Sequence, residues 1–223
     1  MRETIFRFCC PVVRRLMRSR PWDNSLFVAV NVSARQLLSS HLTTHVTTAL
    51  ERSGLSADRL ELEVTETSLL EDRADVGRCL EALTAHGIKL VMDDYGSGYS
   101  SMTNLRRYPF HKLKIDRSYV AALDEDAVAE VIIDCALALG KSLGLTVVVE
   151  WIETEAQRAR LAVKAPDQLQ GFLFGRPEIM ERKISALEHE SRATHTHRSQ
   201  RLRFVNHDPL PWGSRRDLLP TRR

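Results

Sequence analysis

The sequence predicts an α/β fold with a parallel sheet wound as a (β/α) barrel. Two observations carry this. From residue 26 onward, short apolar runs alternate with amphipathic segments, the pattern of βα units joined by crossover helices. Each apolar run also ends on a polar or charged residue, and in a (β/α) barrel the C-terminal strand ends meet on one face, where sites are built.

In chain order, LFVAVNVS reads as the first strand, with Ser33 placed to cap the helix that opens at ARQLL. LELEVTE is the second strand. The helical stretch through VGRCLEALTAHG follows, with Gly87 at the position where a left-handed residue ends a helix. IKLVMDD is the third strand, and its Asp93-Asp94 pair runs straight into Gly-Ser-Gly. Consecutive strand side chains point to opposite faces, so a bulge or turn is needed to aim both aspartates at one site. KLKID is the fourth strand, DAVAEVIIDCALALGKSLG a helix and LTVVVE the fifth strand. Thr154 and Gln157 form a capping box for the next helix, and QGFLF is read as the last strand.

The strand ends supply candidate chemistry. Asn31, Glu66, Asp93, Asp94, Lys114 and Glu150 would share one small volume, and carboxylates packed that closely repel unless a cation compensates them. A donor set of oxygens without Cys or His points to Mg²⁺ or Mn²⁺ rather than zinc. Adjacent aspartates suit a metal-assisted phosphoester hydrolysis, in which Lys114 would orient the attacking water or neutralise developing charge.

Composition bounds the alternatives. With 223 residues, 43% hydrophobic and 27% charged, the chain suits a single globular domain. Neither a signal peptide nor an apolar run of transmembrane length is present, so a cytoplasmic location is expected. Cys9, Cys10, Cys79 and Cys135 have no metal-ligand spacing. The net charge of +3 is uneven: residues 182–223 hold ten Lys or Arg against four Asp or Glu, leaving 22 basic and 25 acidic residues in 1–181. Three segments are expected: an N-terminal helix and linker over 1–25, the folded domain over 26–181, and a basic, disordered tail over 182–223. Nucleic acid and membrane are not expected as partners.

The motifs NVSARQL, LELEVTET, GIKLVMDDYGSGYSS, KLKIDRSYV, VVVEWIETEAQ and QGFLFGRP, in this order, resemble the EAL domain family of cyclic di-GMP phosphodiesterases. The resemblance implies a TIM-like barrel that hydrolyses cyclic di-GMP to pGpG with Mg²⁺ or Mn²⁺. It further implies that Asn31, Glu66, Asp93, Asp94 and Glu150 are metal-site residues and that Lys114 and Glu150 are catalytic. Glu153 is similar to the family's loop-bracing acid, and Gln170 to its substrate-side glutamine. Two departures bear on activity. No Glu-Ala-Leu strand with its phosphate-holding Arg stands ahead of NVSARQL, so an incomplete barrel of about six of the eight strands is expected. Its open edges would invite a homodimer or a completing partner chain. Trp151 stands where the family has Gly beside the metal-site Glu150. Hydrolysis by this chain is therefore expected to be weak or absent, and the alternative is a non-catalytic module that binds cyclic di-GMP or a protein, or a decayed fragment.

Overall fold

The computed structural model describes residues 27–69, 74–97, 101–176 and 202–204. The expected N-terminal helix, Cys9, Cys10, and the tail apart from residues 202–204 lie outside them. Seven strands form one sheet: β1 (Val28–Val32), β2 (Leu60–Thr65), β3 (Lys89–Tyr95), β4 (Lys112–Ile115), β5 (Thr146–Val149), β6 (Gln168–Leu169) and β7 (Leu202–Phe204). Their spatial order is β6-β5-β4-β3-β2-β1-β7 and every pairing is parallel. From β1 to β6 each strand lies beside its predecessor. That is barrel winding; a doubly wound sheet would reverse its order at a switch point. The sheet is an incomplete α/β barrel, because β6 and β7 are its two ends and do not pair.

Helices α1 (Ala34–Leu37), α2 (Leu42–Ser53), α3 (Ala74–Ala85), α4 (Ser101–Arg107), α5 (Arg117–Ala121), α6 (Ala127–Leu143) and α7 (Glu155–Ala162) connect them, with short 3-10 turns at Ala57–Arg59 and Glu66–Leu69. Their ends follow local chemistry. Asp126 accepts from Val128 N–H at the start of α6, and Gly144 ends it at φ +69°. At α7 the capping box forms as expected: Gln157 N–H donates to Thr154 Oγ1 at 3.2 Å, and Thr154 N–H donates to Gln157 Oε1 at 3.1 Å. None of the described helices is long and apolar enough to cross a membrane.

The strands bury both faces, but differently. One face of β1 to β5 carries Val28, Val30, Val32, Leu60, Leu62, Val64, Leu90, Met92, Leu113, Ile115, Val147 and Val149, all of which join the apolar core with Leu80, Leu83 and Ile133 of the helices. Alternation puts the remaining residues on the other face, and the registers align Ala29 with Glu61, Asn31 with Glu63, and Thr65 with Asp93. The alternating Leu-Glu-Leu-Glu of β2 therefore does not send its glutamates to water. Glu61 and Glu63 are buried, as are Lys112 and Lys114 of β4, and Lys112 pairs with Glu61 inside the barrel.

Two expectations change. The last strand is Gln168–Leu169, ahead of QGFLF, because residues 170–174 turn back over the end of β5. Ile152 N–H donates to Gln170 O and Leu173 N–H to Ile152 O, each at 3.0 Å. A Cβ on Gly171 would come within 2.1 Å of the Ile152 carbonyl oxygen, so only glycine permits this closure. The β1 edge, expected to be open, carries residues 202–204 of the tail, with Val28, Ala29 and Val30 in register with Leu202, Arg203 and Phe204.

Removing residues 182–223 strips β7 from β1 and presents an unpaired parallel edge, which templates association. The shortened chain is expected to form larger species than the full chain at equal concentration, as read by multi-angle light scattering. On the outer surface, Arg160 of α7 and Lys164 just beyond it bridge to Glu130 of α6, and hydrogen bonds from Arg160 and Lys164 hold the Glu130 carboxyl down at about 2. A carboxylate depressed on folding stabilises above its unfolded value near 4.5 and loses that contribution as pH falls towards 2. The gap in melting temperature between wild type and Glu130→Gln is expected to close over that interval.

Candidate functional site

The site forms where β2, β3, β4 and β5 end. Lys114 is 1% exposed, and its Nζ lies 2.7 Å from Asp93 Oδ1, 3.0 Å from Glu150 Oε1 and 3.1 Å from Glu63 Oε1. Three carboxylates from three different strands thus converge on one ammonium. Groups this dry are not screened by water and must be balanced locally.

Asp93 and Asp94 are separated by the irregularity that their adjacency required. Met92 pairs with Leu113 but Tyr95 with Ile115, so β3 uses three residues where β4 uses two. This is a β-bulge, and Asp94 takes up the turn at φ +55°, a conformation that aspartate tolerates better than most residues. Asp93 Oδ1 also accepts from Asp94 N–H at 3.2 Å. The bulge aims Asp93 inward and leaves Asp94 half-buried behind it.

The turn beyond is clamped through one residue, on both of its peptide units. Gly96 N–H donates to Glu66 Oε2 at 3.3 Å, and Gly96 O accepts from the Tyr119 hydroxyl at 2.5 Å. A Cβ on Gly96 would lie 2.7 Å from the Tyr119 ring, and its φ is +94°, so glycine is required on two counts. Burial first, then the carboxylates of Asp116 and Glu66, push the Tyr119 phenol above its ordinary range; it therefore keeps the proton it donates at neutral pH.

The structure gathers Asp93, Glu150 and Lys114, as the strand ends predict, and Asn31 lies in register with Glu63 on the same face. Glu66 is fully buried but holds the loop. Glu63, which the sequence reading passed over, takes the place beside Lys114 that was expected for Glu66. Its signal was available: ELE on β2 and KLK on β4 are complementary alternations, each placing two like charges on one strand face. Glu153 is exposed, with its backbone N–H donating to Gln157 Oε1 at 2.9 Å. Gln170 is half-buried and joins β5 through its backbone, its N–H donating to Val149 O at 2.9 Å.

The donor chemistry fits a hard divalent cation: carboxylate and amide oxygens, with no thiolate or imidazole beside them among the described residues. Among the described residues, no three acidic, His or Cys side chains surround a metal-sized point as they stand, because the ammonium of Lys114 occupies the focus.

The sequence profile described as the EAL domain matches residues 1–177. Among curated relatives, the bifunctional diguanylate cyclase/cyclic di-GMP phosphodiesterase MucR of Pseudomonas aeruginosa is 40% identical over 160 residues, covering 72% of this chain and 23% of that protein. The cyclic di-GMP phosphodiesterase NbdA of the same organism is 39% identical over 181 residues, covering 81% and 23%. The chain thus spans about a quarter of the length of these relatives. The solved structure of the MucR phosphodiesterase in complex with c-di-GMP superposes with a TM-score of 0.76 at 37% identity, covering 81% of this chain and 72% of that one. The manganese/cy-diGMP complex of Klebsiella pneumoniae BlrP1 gives 0.67 at 27% identity, covering 77% and 45%.

If Lys114 is the compensating charge, Lys114→Met leaves three buried carboxylates facing one another, and breaking a buried ion pair on one side costs about 3–5 kcal/mol. Urea unfolding in EDTA is expected to show a loss of that size, with part of it recovered on adding Mn²⁺. A variant as stable as wild type in EDTA would refute the compensation.

Proposed function

The chain belongs to the EAL domain family, and from that premise we propose that it is a cyclic di-GMP module with a phosphodiesterase-type site that uses Mg²⁺ or Mn²⁺. One observation carries the reading: Lys114 gathers Glu63, Asp93 and Glu150 from three strands at the C-terminal end of the barrel. Glu63, Asp93, Glu150, Asp94 and Asn31 are the oxygen donors for the cation. When bound, the cation would polarise a phosphoryl oxygen and acidify a water.

The chain's own groups then divide the work. Asp93 and Glu150, held in place by Lys114, present oxygens of fixed orientation. The ammonium of Lys114 holds the attacking water by hydrogen bond and balances charge on the phosphoryl oxygens as it develops. Glu66 and Tyr119 fix Gly96 from both sides, and with it the turn that follows Asp94 beside the site. Gln170 and Glu153 keep the roles that the family resemblance implies, on the substrate side and at the loop. We place the protein in the cytoplasm, with the β6 edge as the surface for a second copy or a completing chain.

A non-catalytic module that binds cyclic di-GMP is the second reading. It is favoured by the carboxylates being engaged with an ammonium. Hydrolysis of cyclic di-GMP with Mn²⁺ separates the two. Slow or undetectable turnover is expected, with binding retained in calorimetric titration. Rapid turnover abolished by Asp93→Asn would establish full catalysis, and the absence of both turnover and binding would refute both readings.

A further inference from the structure

Glu150 is followed directly by a residue whose conformation is costly. Trp151 has φ +60°, in the left-handed region that a bulky side chain rarely adopts, and the residue is 37% exposed. Burial does not account for retaining a tryptophan there. Strain of this kind persists where the surroundings impose it and clusters at functional sites. Here the surroundings are the turn over β5: the hydrogen bonds from Ile152 to Gln170 and from Leu173 to Ile152, together with the close approach at Gly171, zip residues 149–152 to 169–173. That zipper brings the Trp151 and Phe172 rings to 5.6 Å, edge to face at 65°.

Two cations flank the pair. The Arg117 guanidinium, just past β4, lies 5.3 Å from the Trp151 ring centre, and that of Arg176 lies 5.1 Å from the Phe172 ring centre. Arg117, Trp151 and Phe172 therefore come from the exits of three successive strands, β4, β5 and β6, on the same end of the barrel as Lys114 and Glu150. All four side chains of the row are exposed. Aromatic surface edged by guanidinium groups is what a nucleotide requires: the base stacks on the ring, and the phosphate meets the cation.

Building on the function proposed above, we propose that Trp151, backed by Phe172 and flanked by Arg117 and Arg176, is a stacking platform for a purine base of the bound cyclic dinucleotide. The platform makes this chain hold its nucleotide partly by base stacking at the rim rather than by phosphate contacts at the charged cluster alone. It also gives a reason for a strained tryptophan at a position whose backbone favours glycine.

The test uses the full chain with Trp22 and Trp212 replaced by Phe, so that Trp151 is the sole tryptophan emitter. Cyclic di-GMP is titrated in EDTA, and affinity is read both by calorimetry and by Trp151 fluorescence. Binding is expected to quench the emission. Trp151→Gly is expected to weaken affinity on the order of tenfold while leaving the melting temperature equal or higher, since glycine adopts φ +60° without strain. Trp151→Phe is expected to keep most of the affinity, and Arg117→Ala to weaken it with a reduced salt dependence. Equal affinity in wild type and Trp151→Gly, or binding without quenching, overturns the platform while leaving the substrate assignment intact. No binding of cyclic di-GMP by the wild-type chain overturns the substrate assignment and the platform with it.

Discussion

The interior of this barrel is built around one ammonium. A strand in a (β/α) barrel has no solvent face, so residues alternating away from the helices must meet each other inside the sheet. In this chain those residues include Glu61, Glu63, Asp93, Lys112 and Lys114, all buried. They are arranged in two levels. Lys112 neutralises Glu61 one to one at the lower level. At the upper level Lys114 faces three carboxylates at 2.7–3.1 Å. The lower level is a pair of side chains within the stack. The upper one gathers acids from three strands on one cation at the end of the barrel, and this convergence separates a site from a core.

Backbone geometry serves the same end. Two of the three non-glycine residues with positive φ among those described, Asp94 and Trp151, sit next to cluster members, Asp93 and Glu150. At Asp94 the turn lets successive side chains leave the strand in useful directions. At Trp151 it carries the chain out of β5 into the zipper with Gln170 and Leu173. Gly96 and Gly171 complete the arrangement, each pressed against a neighbour so closely that a Cβ would collide. The strand exits are therefore rigid by construction, and a site made of charged groups needs this, because displacing one carboxylate leaves the others unbalanced.

Much of this was legible in the residues, for definite reasons. Element types followed from alternation, from Ser33, Thr154 and Gln157 at helix starts and from Gly87 at a helix end, because caps are local chemistry. The bulge at Asp93-Asp94 followed from the period of a strand. Glu63 was hidden by the same rule, since Leu-Glu-Leu-Glu is the ordinary writing of a strand with one wet face; only the closure of the barrel, a non-local fact, turns that face inward. The shift of the last strand to Gln168–Leu169 depended on contact between Gly171 and Ile152, and the pairing of residues 202–204 with β1 links positions far apart in the chain. Neither leaves a local signature.

The position of Lys114 also bears on how a cation would enter. The carboxylate oxygens face the ammonium at 2.7–3.1 Å. A divalent ion at about 2.1 Å would attract each of them roughly three times as strongly as the ammonium does, by charge over distance, against the cost of stripping its waters. Glu63, Asp93 and Glu150 would be the residues to hold such an ion, and it would supply a Lewis acid beside Lys114. The ammonium already lies among those acids, so it would stand within reach of a water or a phosphoryl oxygen at the same place. The residue that compensates the buried acids is thereby also the one placed for chemistry.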